Sequence, residues 1–275
     1  MKRFAWLLAL AALLCCGACS GQAKKADPID QIKKSGKLVM GTSADFPPYE
    51  FHIQENGQDK IVGFDISVAQ EIAKDLGVEL EIKDMSFDGL LAALDQGKID
   101  ISLAGFSPTE ERRKTTDFSD VYYAGTQGVL IRQEDKDKYT SIASLKDAMI
   151  GAQKGAIQVG IAKKQVKGMS DENAENAQVK EIGKLGDLVL ALKGKTIEAV
   201  IVETAVAKSY EAANPDLYVP DFTFVDDTGG SAVAIKKGSS SLVDAVNKTI
   251  ARLKADGAID GFVVEAAKQM DEAAQ

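Results

Sequence analysis

Leu91-Ala92-Ala93-Leu94-Asp95-Gln96-Gly97-Lys98-Ile99-Asp100 and Val189-Leu190-Ala191-Leu192-Lys193-Gly194-Lys195-Thr196-Ile197-Glu198 carry one pattern twice. In each, an apolar helical run ends in a Gly/Lys turn, and an isoleucine followed by an acid opens a strand. Two copies of one helix-turn-strand unit, roughly a domain length apart, suggest two lobes of similar plan. Outward from them, short apolar runs alternate with amphipathic stretches. Strands are expected at Lys37–Gly41, Val78–Ile82, Ile99–Ala104, Met149–Ala152, Val179–Ile182, Ala199–Val202 and Ser231–Ile235. Helices are expected at Phe64–Leu76, Leu90–Asp95, Ala156–Val166, Leu185–Leu192, Thr204–Ala213, Leu242–Ala255 and Ala258–Lys268. In Phe64–Leu76, Asp65 is the N-cap candidate, Ile66, Ala69, Ile72, Ala73 and Leu76 share a face, and Gly77 ends the helix. Strand and helix in alternation give an α/β fold. Ligands of open α/β sheets bind at the carboxyl ends of strands, so Ala104-Gly105-Phe106-Ser107 and Val202-Glu203 should face a shared cleft.

The 275 residues suffice for two domains, and 45% apolar with 27% charged residues is a soluble globular balance. Forty-one acids against 33 bases, a net charge of −8, exclude an occupation that needs a basic surface, such as nonspecific nucleic-acid binding. The single histidine, His52, excludes a His-rich metal cluster and leaves one candidate base for any nucleophile triad. It follows Phe51 in a polar stretch and reads as solvated. No nucleotide loop, metal-ligand spacing or nucleophile elbow occurs, so no cofactor is expected.

Lys2 and Arg3, the apolar run from Phe4 to Cys16, and small residues before Cys19 have the layout of an export signal over residues 1–18. The run is short for a membrane-spanning helix. All three cysteines (Cys15, Cys16, Cys19) lie here, which rules out a disulfide framework in the folded part. The signal resembles that of bacterial lipoproteins, which implies lipidation of Cys19, although Cys16 stands where that pattern usually has Leu. Without Lys2 and Arg3, 41 acids face 31 bases, a net charge of −10. Residues 19–33 read as a polar tether.

Further motifs run in order: Gly41-Thr42-Ser43-Ala44-Asp45-Phe46-Pro47-Pro48-Tyr49-Glu50-Phe51, Gly63-Phe64-Asp65, Phe87-Asp88-Gly89-Leu90, Ala104-Gly105-Phe106-Ser107-Pro108-Thr109-Glu110-Glu111-Arg112, and Asp117-Phe118-Ser119-Asp120-Val121-Tyr122-Tyr123. From about Lys37 to near the C-terminus the chain resembles the bacterial extracellular solute-binding proteins of family 3, which serve polar amino-acid ABC importers. The resemblance implies a two-lobed, type II periplasmic-binding-protein-like fold with two hinge crossings. It places them near Gln127–Leu130 and Asp227–Ser231. Lobe 1 would then be 34–128 plus 230–275, and lobe 2 would be 129–229. It also implies a monomer delivering a free amino acid to a membrane permease.

An α-amino acid needs a cation for its carboxylate, an anion for its ammonium and a pocket for its side chain. A guanidinium suits the first because it pairs with carboxylates in bidentate geometry and stays charged when desolvated. The resemblance assigns this to Arg112, with Gly105 and Ser107 donating to the same ligand, and it leaves Arg113 on the surface. The backbone amides of Ala156 and Ile157, after Gln153-Lys154-Gly155, sit where a helix start favours an anion. Glu203 stands where the family usually has an aspartate for the ligand ammonium, one methylene longer. Phe46 and Phe87 match its aromatic walls. Ser43, Asp45, Asp88 and Gln153 are the selectivity candidates: the acids favour Arg or Lys, while Gln153 and Ser43 suit glutamine, and the reading leans to a basic ligand.

The expected function is capture without chemistry by an exported cell-envelope lipoprotein, with no nucleic-acid partner. A periplasmic dehydratase acting on prephenate- or arogenate-like acids, with Glu203 as its acid-base group, is the enzymatic alternative. A tethered amino-acid sensor is the third.

Overall fold

The computed structural model describes residues 27–273. The leader, Cys19 and the beginning of the expected tether lie outside them. Helix α1 (Pro28–Ser35) leads into β1 (Lys37–Thr42), a small sheet of β2 (Asp45–Phe46), β3 (Glu50–Glu55) and β4 (Gln58–Val62), and helix α2 (Phe64–Leu76). Next come β5 (Glu79–Asp84), α3 (Phe87–Asp95), β6 (Ile101–Ser102), the one-turn α4 (Glu110–Arg113) and β7 (Thr116–Tyr123). A second body follows: β8 (Gln127–Arg132), β9 (Ile150–Gln153), α5 (Ile157–Ile161), β10 (Val179–Ile182), α6 (Leu185–Lys193), β11 (Ala199–Glu203), α7 (Thr204–Ala213) and β12 (Leu217–Tyr218). The chain then returns to the first body as β13 (Ser231–Lys236), α8 (Ser240–Ala255) and α9 (Ala258–Ala273).

Each body holds a five-stranded sheet, ordered β5-β1-β6-β13-β7 in the first and β10-β9-β11-β8-β12 in the second. Three parallel strands begin each sheet and an antiparallel partner follows, β13 against β6 and β8 against β11. Leu38, Met40, Ile101 and Val233 in one sheet and Leu130, Ile150 and Val200 in the other are fully buried.

The repeated decapeptide forms the same corner in both sheets. Gly97 and Lys195, at matching positions, take left-handed φ values of 69° and 60°. Asp100 accepts from the Val39 amide at 2.8 Å, and Glu198 accepts from the Met149 amide in the same way. Both acids also donate their own N–H, at 2.8 Å, to the carbonyls of Val39 and Met149. A strand glycine packs under each copy: a Cβ on Gly41 would meet Ile99 and Leu90, and one on Gly151 would meet Ile197 and Leu188.

Local differences from the sequence reading have physical reasons. Residues 28–33 of the expected tether are helical: Asp27 caps α1 by accepting from the Ile29 amide at 2.9 Å, and Ile32 is buried. The N-cap of α2 is Gly63, and Asp65 is buried one residue inside, because its carboxylate is used by Tyr122 and Gly105. The stretch around His52 is sheet; His52 stays partly exposed and pairs through Nδ1 with Asp59 at 2.8 Å. The expected strand Ile99–Ala104 contracts to β6, and the helix expected to Val166 ends as α plus a π-helical turn, Ala162–Val166. Gln127–Leu130, read as a crossing, lies within β8, whose residues are all buried and of which Gln127–Ile131 pair with Ala199–Glu203. The link from β7 to β8 is therefore 124–126. The return to β13 passes through Gly229 and Gly230, with φ of 80° and 124°; a side chain on Gly230 would strike the Tyr123 carbonyl.

Candidate functional site

The loop after β6 and the loop after β9 face each other across the gap between the bodies. Gly105 takes φ 58°, a turn that favours glycine, and a Cβ there would sit 3.0 Å from the Phe46 ring. Thr109 caps α4 by accepting from the Arg112 amide at 3.2 Å, which sets the direction of the Arg112 side chain. Its Nη1 donates to the Ser107 carbonyl at 2.8 Å, and its Nη2 donates to the Gly155 carbonyl at 2.9 Å, on the second body. Below the guanidinium the Phe87 and Phe106 rings stack 4.6 Å apart, with Cζ 5.6 and 5.1 Å from their centres. Burial lowers the Arg112 pKa to about 10, so it stays charged at neutral pH. No carboxylate among the described residues pairs with it, although both of its bonds are to carbonyls.

Phe46, Phe87, Gly105, Ser107, Arg112, Gln153, Ala156 and Ile157 line one narrow hollow of about 20 Å³ between the closed bodies, together with Ala104 and Gln158. Glu203 does not line it. It ends β11 just behind, 4% exposed, accepts a hydrogen bond from the Tyr49 hydroxyl and rests against Gly125 of the 124–126 link. Burial pushes its pKa up to about 7, with the charges of Asp65 and Asp226 adding to the rise and the Tyr49 bond opposing it. The Ala156 N–H donates to the Gln153 carbonyl at 3.0 Å, which removes it from the backbone candidates; Ile157, the first residue of α5, has no partner within the helix.

The three remaining selectivity candidates are turned to other work. Asp45 reaches across the gap and accepts from the Leu185 amide at 2.6 Å and the Gly186 amide at 3.5 Å, closing the N-terminus of α6. Ser43 donates to Asp45 at 3.1 Å, and the Tyr210 hydroxyl donates to the Asp45 carbonyl at 2.9 Å. Asp88 forms an ion pair with Lys154 of the second body at 3.1 Å. None of the three lines the hollow, because each has its partner at the closed seam beside it.

A buried acid pair lies deeper. Glu50 and Asp65 are both 0% exposed; Asp65 accepts from the Tyr122 hydroxyl at 2.7 Å and the Gly105 amide at 3.2 Å. Neither Glu50 oxygen has a hydrogen-bond partner among the described residues. Burial raises both: Glu50 goes well above the carboxylate range, and Asp65 rises to about 6. The sequence reading placed Phe106 in the cleft-facing turn without a role of its own, and it missed Tyr49 and Gln158. Gln158 was within reach, one residue past Ile157; the roles of Tyr49 and Phe106 come from contacts distant in the chain.

Two similar α/β bodies, joined by two links and closed on a hollow that holds an uncompensated guanidinium, make a two-lobed ligand-binding fold of type II. The chain belongs to the bacterial extracellular solute-binding proteins, family 3, which it matches over residues 38–267. It is 34% identical over 258 residues to the arginine-binding extracellular protein ArtP of Bacillus subtilis, covering 93% of this chain and 94% of that one. The glutamine-binding protein GlnH of the same organism is 30% identical over 262 residues, covering 92% and 91%. An amino-acid ABC transporter substrate-binding protein of Streptococcus pneumoniae, solved bound to L-arginine, has a TM-score of 0.82 and 38% identity, covering 88% of this chain and 98% of that one. No helix of the described residues is long and apolar enough to cross a membrane.

Proposed function

We propose that this chain captures a polar L-amino acid, arginine first and glutamine second, and delivers it to the permease of an ABC importer. The observation that carries the reading is Arg112: a guanidinium stacked on two rings, anchored by carbonyls from both lobes, with no acid among the described residues to neutralise it. A ligand α-carboxylate supplies that anion in bidentate form. Gly105, Ser107 and the Ile157 amide complete the carboxylate end, and Phe46 and Phe87 hold the side chain. Glu203 with Tyr49 lies on the ammonium side. Relatives that bind arginine and glutamine support the choice of ligands.

A ligand touching both lobes favours the closed form by its differential affinity. The lobes move as 28–123 with 231–273 against 127–224, about the 124–126 and 225–230 links. The export signal of residues 1–18, lipid attachment at Cys19, action as a monomer and binding without catalysis belong to the same proposal. A thermal-shift screen against the twenty amino acids tests it, since a ligand that binds only the folded state raises Tm. Arginine or glutamine should give the largest shift, and Arg112→Ala should abolish it. No shift with any amino acid, or turnover of prephenate or arogenate, overturns the reading. Replacing Cys19 by Ser should release the protein from membranes.

A further inference from the structure

Gln158 lines the hollow, and its amide is not free to choose which end it shows. Its Nε2 donates to Gln127 Oε1 at 2.7 Å. Gln127, at the start of β8, donates through Nε2 to Asp226 Oδ2 at 3.0 Å. The other oxygen of Asp226, Oδ1, receives the Thr228 amide at 2.9 Å and the Thr228 hydroxyl at 2.7 Å. A carboxylate is an acceptor only, and an amide has one accepting and one donating end. The direction of each bond in the row is therefore set by the one before it, starting from Asp226 in the 225–230 link.

We infer that Asp226 is a specificity-positioning residue: through Gln127 it turns Gln158 so that Oε1, a carbonyl acceptor, faces the ligand, which must meet it with a donor such as an ammonium or guanidinium group. The inference rests on the amino-acid reading above and narrows it to a ligand with a donor at that wall. It makes a residue that touches no ligand decide the polarity of one that does.

Asp226→Asn tests this at nearly constant shape. In that variant the two Thr228 donors hold the carbonyl oxygen of the new side-chain amide, so its NH₂ faces Gln127. Gln127 must then invert, Gln158 must invert in turn, and its NH₂ enters the hollow. Isothermal titration with L-arginine and L-glutamine should show the better wild-type ligand weakened by about tenfold or more, the worth of a bond to a charged donor, with the ligand-free Tm unchanged. Gln158→Glu alone sets a carboxylate against Gln127 Oε1 and should lower both Tm and affinity. The double variant Asp226→Asn with Gln158→Glu rebuilds an unbroken row ending in an acceptor, and should recover Tm and affinity to within a few-fold. Unchanged affinity in Asp226→Asn, or a double variant no better than the worse single one, overturns the inference. NMR of the ligand-free protein separates the two levels. In the wild type the Gln158 side-chain NH₂ should show contacts to Gln127 and slow exchange, and both should be lost in Asp226→Asn. If no amino acid binds, the proposed function fails while the NMR result still decides the orientation.

Discussion

Replacing Glu203 by Gln removes a buried acid whose titration the fold displaces, and the size of the effect follows from its surroundings. The carboxyl moves from its ordinary 4.5 to about 7, chiefly because burial disfavours the charged form, with Asp65 and Asp226 adding repulsion. At about 1.4 kcal/mol per pH unit this is worth roughly 3 kcal/mol. Its sign is that of a raised acid. Below 4.5 both folded and unfolded chains hold the proton and the group costs nothing. Between 4.5 and about 7 only the folded chain keeps it, so stability falls as pH rises, and above 7 the loss is complete. Gln has no proton to lose and retains an acceptor for the Tyr49 hydroxyl. Urea unfolding followed by circular dichroism at pH 5, 6, 7 and 8 should show the variant gaining on the wild type by up to about 3 kcal/mol across that range. Asp65, raised to about 6, adds a slope of its own to both proteins and cancels in the difference. Parallel profiles would refute the reasoning, because they would mean that Glu203 is solvated in the folded protein. If a ligand ammonium pairs with Glu203, binding at pH 6 should also release a proton, read as a dependence of the titration heat on buffer ionisation enthalpy.

Arg112→Lys keeps the charge but loses the planar fork between Ser107, Gly155 and the two rings; amino-acid affinity should fall by about 100-fold by calorimetry, with an unchanged circular dichroism spectrum. Asp45→Ala leaves the α6 amides of Leu185 and Gly186 without their acceptor in the closed form, a loss of about 1 kcal/mol. Affinity should drop about fivefold, and small-angle scattering of the ligand-free protein should show a larger radius of gyration; Asp45→Asn should fall between. Gly63→Ala adds a Cβ at φ 129° that collides with the Tyr49 carbonyl, and should destabilise the fold by more than about 2 kcal/mol in urea.

Chain-local patterns were enough for much of this molecule. The period of apolar residues located α2, α6 and α7, and the repeated decapeptide disclosed two similar sheets because its helix end, turn and isoleucine-acid pair lie in one short segment, while the strand amides that the acids bond, Val39 and Met149, arrive only with the fold. The motif around Gly105, Ser107 and Arg112 was legible through its resemblance to the family, because its residues occupy one short segment. Tertiary structure decided what depends on residues far apart in the chain. Asp65 looks like a helix cap until Tyr122 and the Gly105 amide arrive to bond it. Asp45 and Asp88 look like selectivity acids until the second lobe brings the α6 amides and Lys154 within reach. Glu203 keeps its charge type in any sequence, but the burial that moves its titration to about 7 exists only once Tyr49 and Gly125 close over it. Residue type states which interactions a side chain can make; which one it makes is set by the partners that the folded chain brings within hydrogen-bond range.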